Sequence, residues 1–166
     1  EVVVLGDLVG YGADPGEVIE RTIELKPSAL IRGNHDKVCA GLEPATLFND
    51  IARRSIEWTA GVLTAAQLQS LVELPKGPML VIKELEICHG TPFDEDHYVF
   101  DGEDAARAMD AASARICLFG HTHLPAVYTT SDDQATRNDS LAEDELLLPR
   151  RRPPLMTRAS LTASVA

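Results

Sequence analysis

The chain has few cysteines, no long apolar run and no initiator methionine. It contains three cysteines in 166 residues, an odd number that cannot all pair, and no two of them form a Cys-x-x-Cys motif. We therefore expect buried free thiols in a reducing, cytoplasmic compartment. There is no run of about 18 apolar residues, so no membrane span is predicted. Because the sequence begins at Glu1 rather than Met, it leaves open whether an N-terminal segment, such as a signal peptide, has been removed.

Basic residues are also scarce relative to acidic ones. There are 15 Lys and Arg against 26 Asp and Glu, which gives a formal net charge of −11. Such a chain repels polyanions, so a nucleic-acid partner is disfavoured, and a phosphate-bearing substrate would have to be attracted by bound metal ions. The composition, 45% hydrophobic and 25% charged, is ordinary for a globular protein.

Hydrophobic patterning predicts an α/β fold over residues 1–130. Val2–Leu5 and Ala29–Arg32 are predicted strands, and Pro15–Leu25 is a predicted helix between them, which together make a βαβ unit. Further along we predict helices at 45–60, 64–74 and 103–112 and strands at Met79–Ile82, Glu84–Cys88, Arg115–Phe119 and Ala126–Thr130, the last continuing the same sheet. Residues 131–166 lack sustained periodicity and are predicted to be an irregular, mobile tail, with Leu146–Leu148 as a possible short strand.

Polar motifs follow the predicted strands at four places. Gly-Asp follows the first strand at 6–7, Gly-Asn-His-Asp follows the second at 33–36, His-Gly occurs at 89–90, and Gly-His-Thr-His occurs at 120–123. The carboxyl ends of parallel strands meet at one edge of a sheet, so these side chains can surround a common ion. Imidazole, carboxylate and amide groups are metal ligands, and the sequence therefore predicts a metal site. We expect Gly33, Gly90 and Gly120 to let the backbone turn sharply past each strand.

Taken in this order, the motifs resemble those of the calcineurin-like metallophosphoesterases, and GDLVGYGADP is most similar to their bacterial phosphodiesterase branch. The resemblance implies an αββα sandwich for the domain at 1–130. The family normally opens with a strand ending in Asp-x-His, and no Asp-x-His occurs ahead of Asp7. We therefore expect a sheet that lacks its first strand, and self-association through the edge that this exposes.

The resemblance also implies a site and an activity. Asp7 matches the bridging ligand of two metal ions. Asn34, His89 and His121 would complete the second ion's ligands, His123 would bind the first ion, His35 would contact the phosphate and protonate the leaving oxygen, and Asp36 would orient His35 through a hydrogen bond. Hydrolysis of a phosphodiester or phosphomonoester by a metal-bridged hydroxide is implied. Manganese is the expected ion, with iron, zinc, cobalt and nickel as alternatives, and two ions in a complete site but one here.

Several alternatives remain open on sequence alone. One is an inactive remnant that binds one metal ion or a phosphorylated ligand, and another is an interaction module whose metal only joins loops. His97 lies outside the matched motifs and is interpreted as a solvated loop residue, with a substrate-side role as the alternative. Gly10-Tyr11-Gly12 does not continue into a dinucleotide fingerprint, because Pro15 stands where that pattern needs glycine.

Overall fold

The chain begins with two short parallel strands joined by a helix. The computed structural model describes residues 1–131 and 134–138. In it β1 (Val3–Val4) pairs in parallel with β2 (Ala29–Leu30), and α1 (Pro15–Glu24) connects them. Pro15 suits the first helical turn, where an amide hydrogen has no partner within the helix. The predicted βαβ unit is confirmed.

Three further helices complete the first of two compact units, residues 1–76. They are α2 (Asn34–Cys39), α3 (Asp50–Val62) and α4 (Ala65–Val72), with a 3₁₀ turn at Ala45–Leu47. The Asn49 side chain caps α3 and the Thr64 hydroxyl caps α4, each accepting an amide hydrogen that the helix itself cannot satisfy. The core of this unit consists of apolar side chains from the β1 loop and the helices, namely Leu8, Val9, Ile19, Cys39, Ile56, Leu63 and Leu71.

The second unit begins at residue 77 and contains a three-stranded mixed sheet. Its strands are β3 (Met79–Ile82), β4 (Leu85–Cys88) and β5 (Ile116–Phe119), where β4 is antiparallel to β3 and parallel to β5. The connection from β4 to β5 contains α5 (Gly102–Ala111), whose first turn is capped by the Asp101 carboxylate.

A hairpin follows, made of β6 (Val127–Ser131) and β7 (Gln134–Asn138). The prediction that 126–130 continues the main sheet is therefore wrong, because in the described residues β6 takes its hydrogen-bonding partner from β7. The strand β7 also lies where irregular chain was predicted from residue 131. The possible strand at 146–148 lies outside the described residues, and the tail prediction beyond 138 stays a prediction.

The cysteines and helices bear on two of the composition arguments. Cys39, Cys88 and Cys117 are all buried and none of them forms a disulfide bond, as predicted. Burial raises the pKa of the Cys39 thiol to about 11, with a further contribution from the negative charge of Asp36. Among the described residues, no helix has the length and apolar character needed to cross a membrane.

Candidate active site

Asp7 lies in the turn after β1 and adopts a left-handed backbone conformation, with φ of 55°. Its carboxylate Oδ1 accepts the amide hydrogen of His35 at 3.0 Å. That amide belongs to the first turn of α2, which begins at Asn34. This hydrogen bond joins the turn that carries Asp7 to the start of the helix that carries Asn34 and His35, within the first unit.

The helix α2 was not predicted from the sequence. It has only six residues, and Gly33 before it offers no side-chain cap. The signal that could have revealed it is Asp36, three residues after Gly33, because an acidic residue at this position can accept the amide hydrogen of the residue preceding the helix. The Asp36 carboxylate does so at 2.8 Å.

Asp36 is completely buried and holds the backbone on both sides of the turn. Besides the amide of Gly33, it accepts the amide hydrogen of Leu8 at 2.8 Å and that of Val9 at 3.3 Å. Burial, followed by the charge of Asp7, raises the pKa of Asp36 to about 7 against the lowering effect of these three bonds.

The predicted hydrogen bond from Asp36 to His35 is a point of correction. Among the described residues, the partners of the Asp36 carboxylate are those backbone amides and not the His35 ring. The physical reason is that two successive residues of a helix point in different directions. Asp36 thus positions the loop that carries Asp7 and the start of α2.

The His35 ring is held by packing instead. Its centroid lies 4.7 Å from that of Tyr11 and 4.8 Å from that of Phe48. Gly10, at φ of +132°, makes room for it, since a Cβ there would lie 2.3 Å from His35 Nδ1. Sequence reasoning missed these three neighbours, because Tyr11 and Phe48 lie outside the metal-ligand motifs and Gly10 gave no sign of a side chain passing it.

In the second unit, His89 and His121 follow adjacent strands. Cys88 at the end of β4 is in register with Phe119 at the end of β5, and the Gly120 amide donates to the His89 carbonyl at 2.8 Å. The two imidazole rings are buried, with their centroids 4.8 Å apart. The expectation that strand ends would bring predicted ligands together holds within this unit.

His121 is oriented by a backbone carbonyl. Its Nε2 lies 3.0 Å from the Asp96 carbonyl oxygen. Because a carbonyl can only accept, Nε2 carries the proton and Nδ1 is the nitrogen with a lone pair for a metal ion. His121 and His123 both adopt left-handed backbone conformations, with φ of 68° and 54°, and His123 is exposed.

The predicted turning role of the glycines differs from what is observed. Gly33 has φ of −107° and extended backbone, which any residue can adopt. Gly90 is required for a different reason: a Cβ there would lie 2.6 Å from the His97 carbonyl oxygen and 2.7 Å from that of Glu95. Next to Gly120, the left-handed backbone conformation belongs to His121.

His97 is a partly exposed loop residue that has an acidic partner. Its Nε2 lies 3.0 Å from Oδ1 of Asp104 in α5, and its side chain is only 30% exposed. The predicted loop position is confirmed, and α5 supplies an acidic partner that the loop sequence alone does not reveal.

Comparisons with known proteins agree with this arrangement. The family model for calcineurin-like phosphoesterases matches residues 1–125. The chain belongs to this family. A metallophosphoesterase from Sphaerobacter thermophilus, known from its crystal structure, is similar in fold, with a TM-score of 0.62 and 35% identity over 74% of this chain. An uncharacterized protein of Methanocaldococcus jannaschii is 28% identical over 155 residues, or 87% of the chain.

Both relatives are longer than this calcineurin-like chain. It spans 60% of the M. jannaschii protein and half of the S. thermophilus chain. The α/β fold class predicted from the motifs is that of the family and is confirmed.

Family membership implies divalent metal ions, and the residues present fit them. The second unit offers two neighbouring imidazoles, and in His121 the Asp96 carbonyl next to Nε2 leaves Nδ1 of the neutral ring with a lone pair. The first unit offers the Asp7 carboxylate beside the start of the helix that carries Asn34. Nitrogen and carboxylate or amide oxygen together suit first-row divalent ions such as Mn²⁺, Fe²⁺ and Zn²⁺.

Proposed function

We propose that the chain is the phosphoesterase domain of a metal-dependent hydrolase that cleaves phosphodiesters or phosphomonoesters. The observation that carries the proposal is the 3.0 Å hydrogen bond from the His35 amide to Asp7 Oδ1. It fixes a carboxylate suited to bridging two ions next to an imidazole suited to proton donation. The family match supplies the reaction class.

The metal ligands are proposed from the family match, residue by residue. The second ion is assigned Asp7, Asn34, His89 and His121, and the first is assigned Asp7 and His123 from this sequence. When bound, divalent ions neutralise phosphoryl oxygens and lower the pKa of the attacking water. We propose Mn²⁺ as the resident ion.

His35 is the proposed proton donor to the leaving oxygen. Imidazole suits this step because its pKa lies close to neutral pH, so it can hold a proton and release it. Packing against Tyr11 and Phe48 restricts the orientations of the ring, which favours a productive geometry. Asp36 is a positioning residue that keeps the two loops of the first unit together.

The test is hydrolysis of bis(p-nitrophenyl) phosphate and p-nitrophenyl phosphate with and without Mn²⁺. We expect turnover that EDTA abolishes. His35→Ala should lower kcat by about a hundredfold, as is typical for loss of a general acid, while bound metal stays unchanged. The matched control is His97→Gln, which changes a histidine outside the motifs, keeps a donor for Asp104 and should retain activity within about twofold.

Metal stoichiometry by mass spectrometry separates the proposal from a metal-binding remnant. Loss of bound Mn²⁺ in both Asp7→Ala and His121→Ala would support the ligand assignment. Bound metal with no turnover of either ester would contradict the catalytic proposal and leave a binding protein.

The buried thiols, which form no disulfide bond, support a further proposal, that the protein works in a reducing, cytoplasmic compartment.

A further inference from the structure

Aromatic side chains are concentrated on the loop between β4 and α5. The chain has eight aromatic residues in all, and three of them, Phe93, Tyr98 and Phe100, lie on this loop. They are 43%, 42% and 56% exposed. Large apolar rings clustered at a surface are unusual in a folded chain and are typical of a place where something binds.

Two of these rings form a stack that starts at His121. The Tyr98 ring lies over the His121 ring, with centroids 3.8 Å apart and planes 23° apart. Phe100 stacks on Tyr98 at 5.0 Å with its plane tilted by only 7°. Three rings therefore lead from a proposed metal ligand to the solvent, and Phe100 is the most exposed of them.

Val99, which lies between Tyr98 and Phe100 in the sequence, fixes the direction in which these two rings point. Val99 is 3% exposed and belongs to the core of the second unit, with Cys88 and Phe119 among its companions. Alternate residues of an extended segment point to opposite sides. Burial of Val99 thus turns both Tyr98 and Phe100 outward.

Hydrogen bonds to α5 hold the loop in this arrangement. The Phe100 amide donates to Asp104 Oδ2 at 3.2 Å, and the other carboxylate oxygen of Asp104 lies 3.0 Å from His97 Nε2. At the other end, the Thr91 amide and hydroxyl both donate to the Asp94 carbonyl at 2.9 Å. A loop fixed at both ends presents its aromatic rings with little entropy left to lose on binding.

We propose that Tyr98 and Phe100 form a specificity platform that stacks a planar aromatic group of the phosphate ester, such as a nucleobase. This rests on the proposed function. The net charge of −11 disfavours a polynucleotide, so the ligand is a small ester with one aromatic group and not a nucleic acid. Stacking on aromatic side chains suits any base, because every base has a π face.

The test compares two ligands that share a sugar and a phosphonate and differ in the base. The 5′-methylenephosphonate analogues of adenosine monophosphate and ribose 5-phosphate, in which a CH₂ group replaces the ester oxygen and prevents hydrolysis, are titrated into the Mn²⁺-loaded protein by calorimetry. We expect the adenosine analogue to bind about tenfold more tightly, in the range that one stacked base supplies. Phe100→Leu should reduce this preference to twofold or less and leave the affinity for the ribose analogue unchanged.

Two further variants make the test specific. Phe100→Trp should keep or increase the preference, because it restores a stacking surface. Phe93→Leu is the matched control on the same loop, since the Arg107 guanidinium already covers that ring at 5.1 Å from its centroid, and it should keep the preference. Three results would contradict stacking by Tyr98 and Phe100. They are equal affinities in the unchanged protein, no binding of either ligand, and a preference that remains in Phe100→Leu.

The platform and the proposed hydrolysis fail in different ways. A preference for the ligand with a base, without turnover of either nitrophenyl ester, would contradict the proposed hydrolysis and support the stacking by Tyr98 and Phe100. Metal-dependent turnover of those esters, without a preference for the ligand with a base, would contradict the stacking and support the proposed hydrolysis.

Discussion

Asp36→Ala is the sharpest test of how the first unit is held together. The change removes a buried acceptor for three backbone amides, two of them at 2.8 Å and the third at 3.3 Å. Each buried donor left without a partner costs about 1–3 kcal/mol. For the two amides at 2.8 Å, the free energy of unfolding would therefore fall by about 2–6 kcal/mol.

One effect opposes this loss. The raised pKa of Asp36 reflects burial and repulsion by Asp7, both of which Asp36→Ala relieves. We therefore expect the free energy of unfolding to fall by about 2–4 kcal/mol, which is the lower part of the range obtained from the hydrogen bonds alone. For a chain of this size such a loss lowers Tm by roughly 5–15 °C.

The measurement is urea unfolding followed by circular dichroism at neutral pH in EDTA, so that bound metal does not contribute. Asp14→Ala is the matched control: Asp14 precedes α1 without making a side-chain cap hydrogen bond, and its loss should change stability by less than about 0.5 kcal/mol. If Asp36→Ala costs less than about 1 kcal/mol, the three amides do not depend on this carboxylate and the reasoning is refuted.

Three other changes have defined outcomes. Gly10→Ala should reduce phosphoesterase kcat at least tenfold, because its Cβ would displace the His35 ring, whereas Gly12→Ala, with open space around it, should not; equal kcat values would contradict the packing argument. Cys39, whose pKa is raised to about 11, should react with a thiol reagent at pH 8 only when urea unfolds the chain, and rapid labelling of the folded protein would argue against its burial. Gly61→Ala in α3, where a Cβ meets nothing, should raise the free energy of unfolding by about 0.5 kcal/mol in the same urea assay, and a loss of stability would contradict the open surface.

Most helices and strands could be predicted because their signals are local. The run before Asp7, the capped helix after Thr64 and the apolar stretch before His89 each carry their own pattern of apolar residues and turn residues. The partner of β6 could not be predicted, because a strand's pattern shows which side it buries and not which strand lies beside it.

The candidate site divides along the same line. His89 and His121 were expected to meet because parallel strands in register bring their ends together. The role of Asp36 was not foreseen, since it depends on amides 27 and 28 residues away. The stack of Tyr98 and Phe100 was missed as well, because a loop has no periodicity and only the burial of Val99 reveals the direction of its neighbours.

The left-handed backbone of Asp7, His121 and His123 sets stability against chemistry. An L-residue in this conformation costs on the order of 1 kcal/mol or more, a cost that glycine avoids. If the chain were selected in the laboratory for heat resistance alone, glycine or asparagine should therefore accumulate at these three positions. Such a population would become more stable as it lost these proposed metal ligands, so a screen for stable variants of this protein should also select for metal binding at every round.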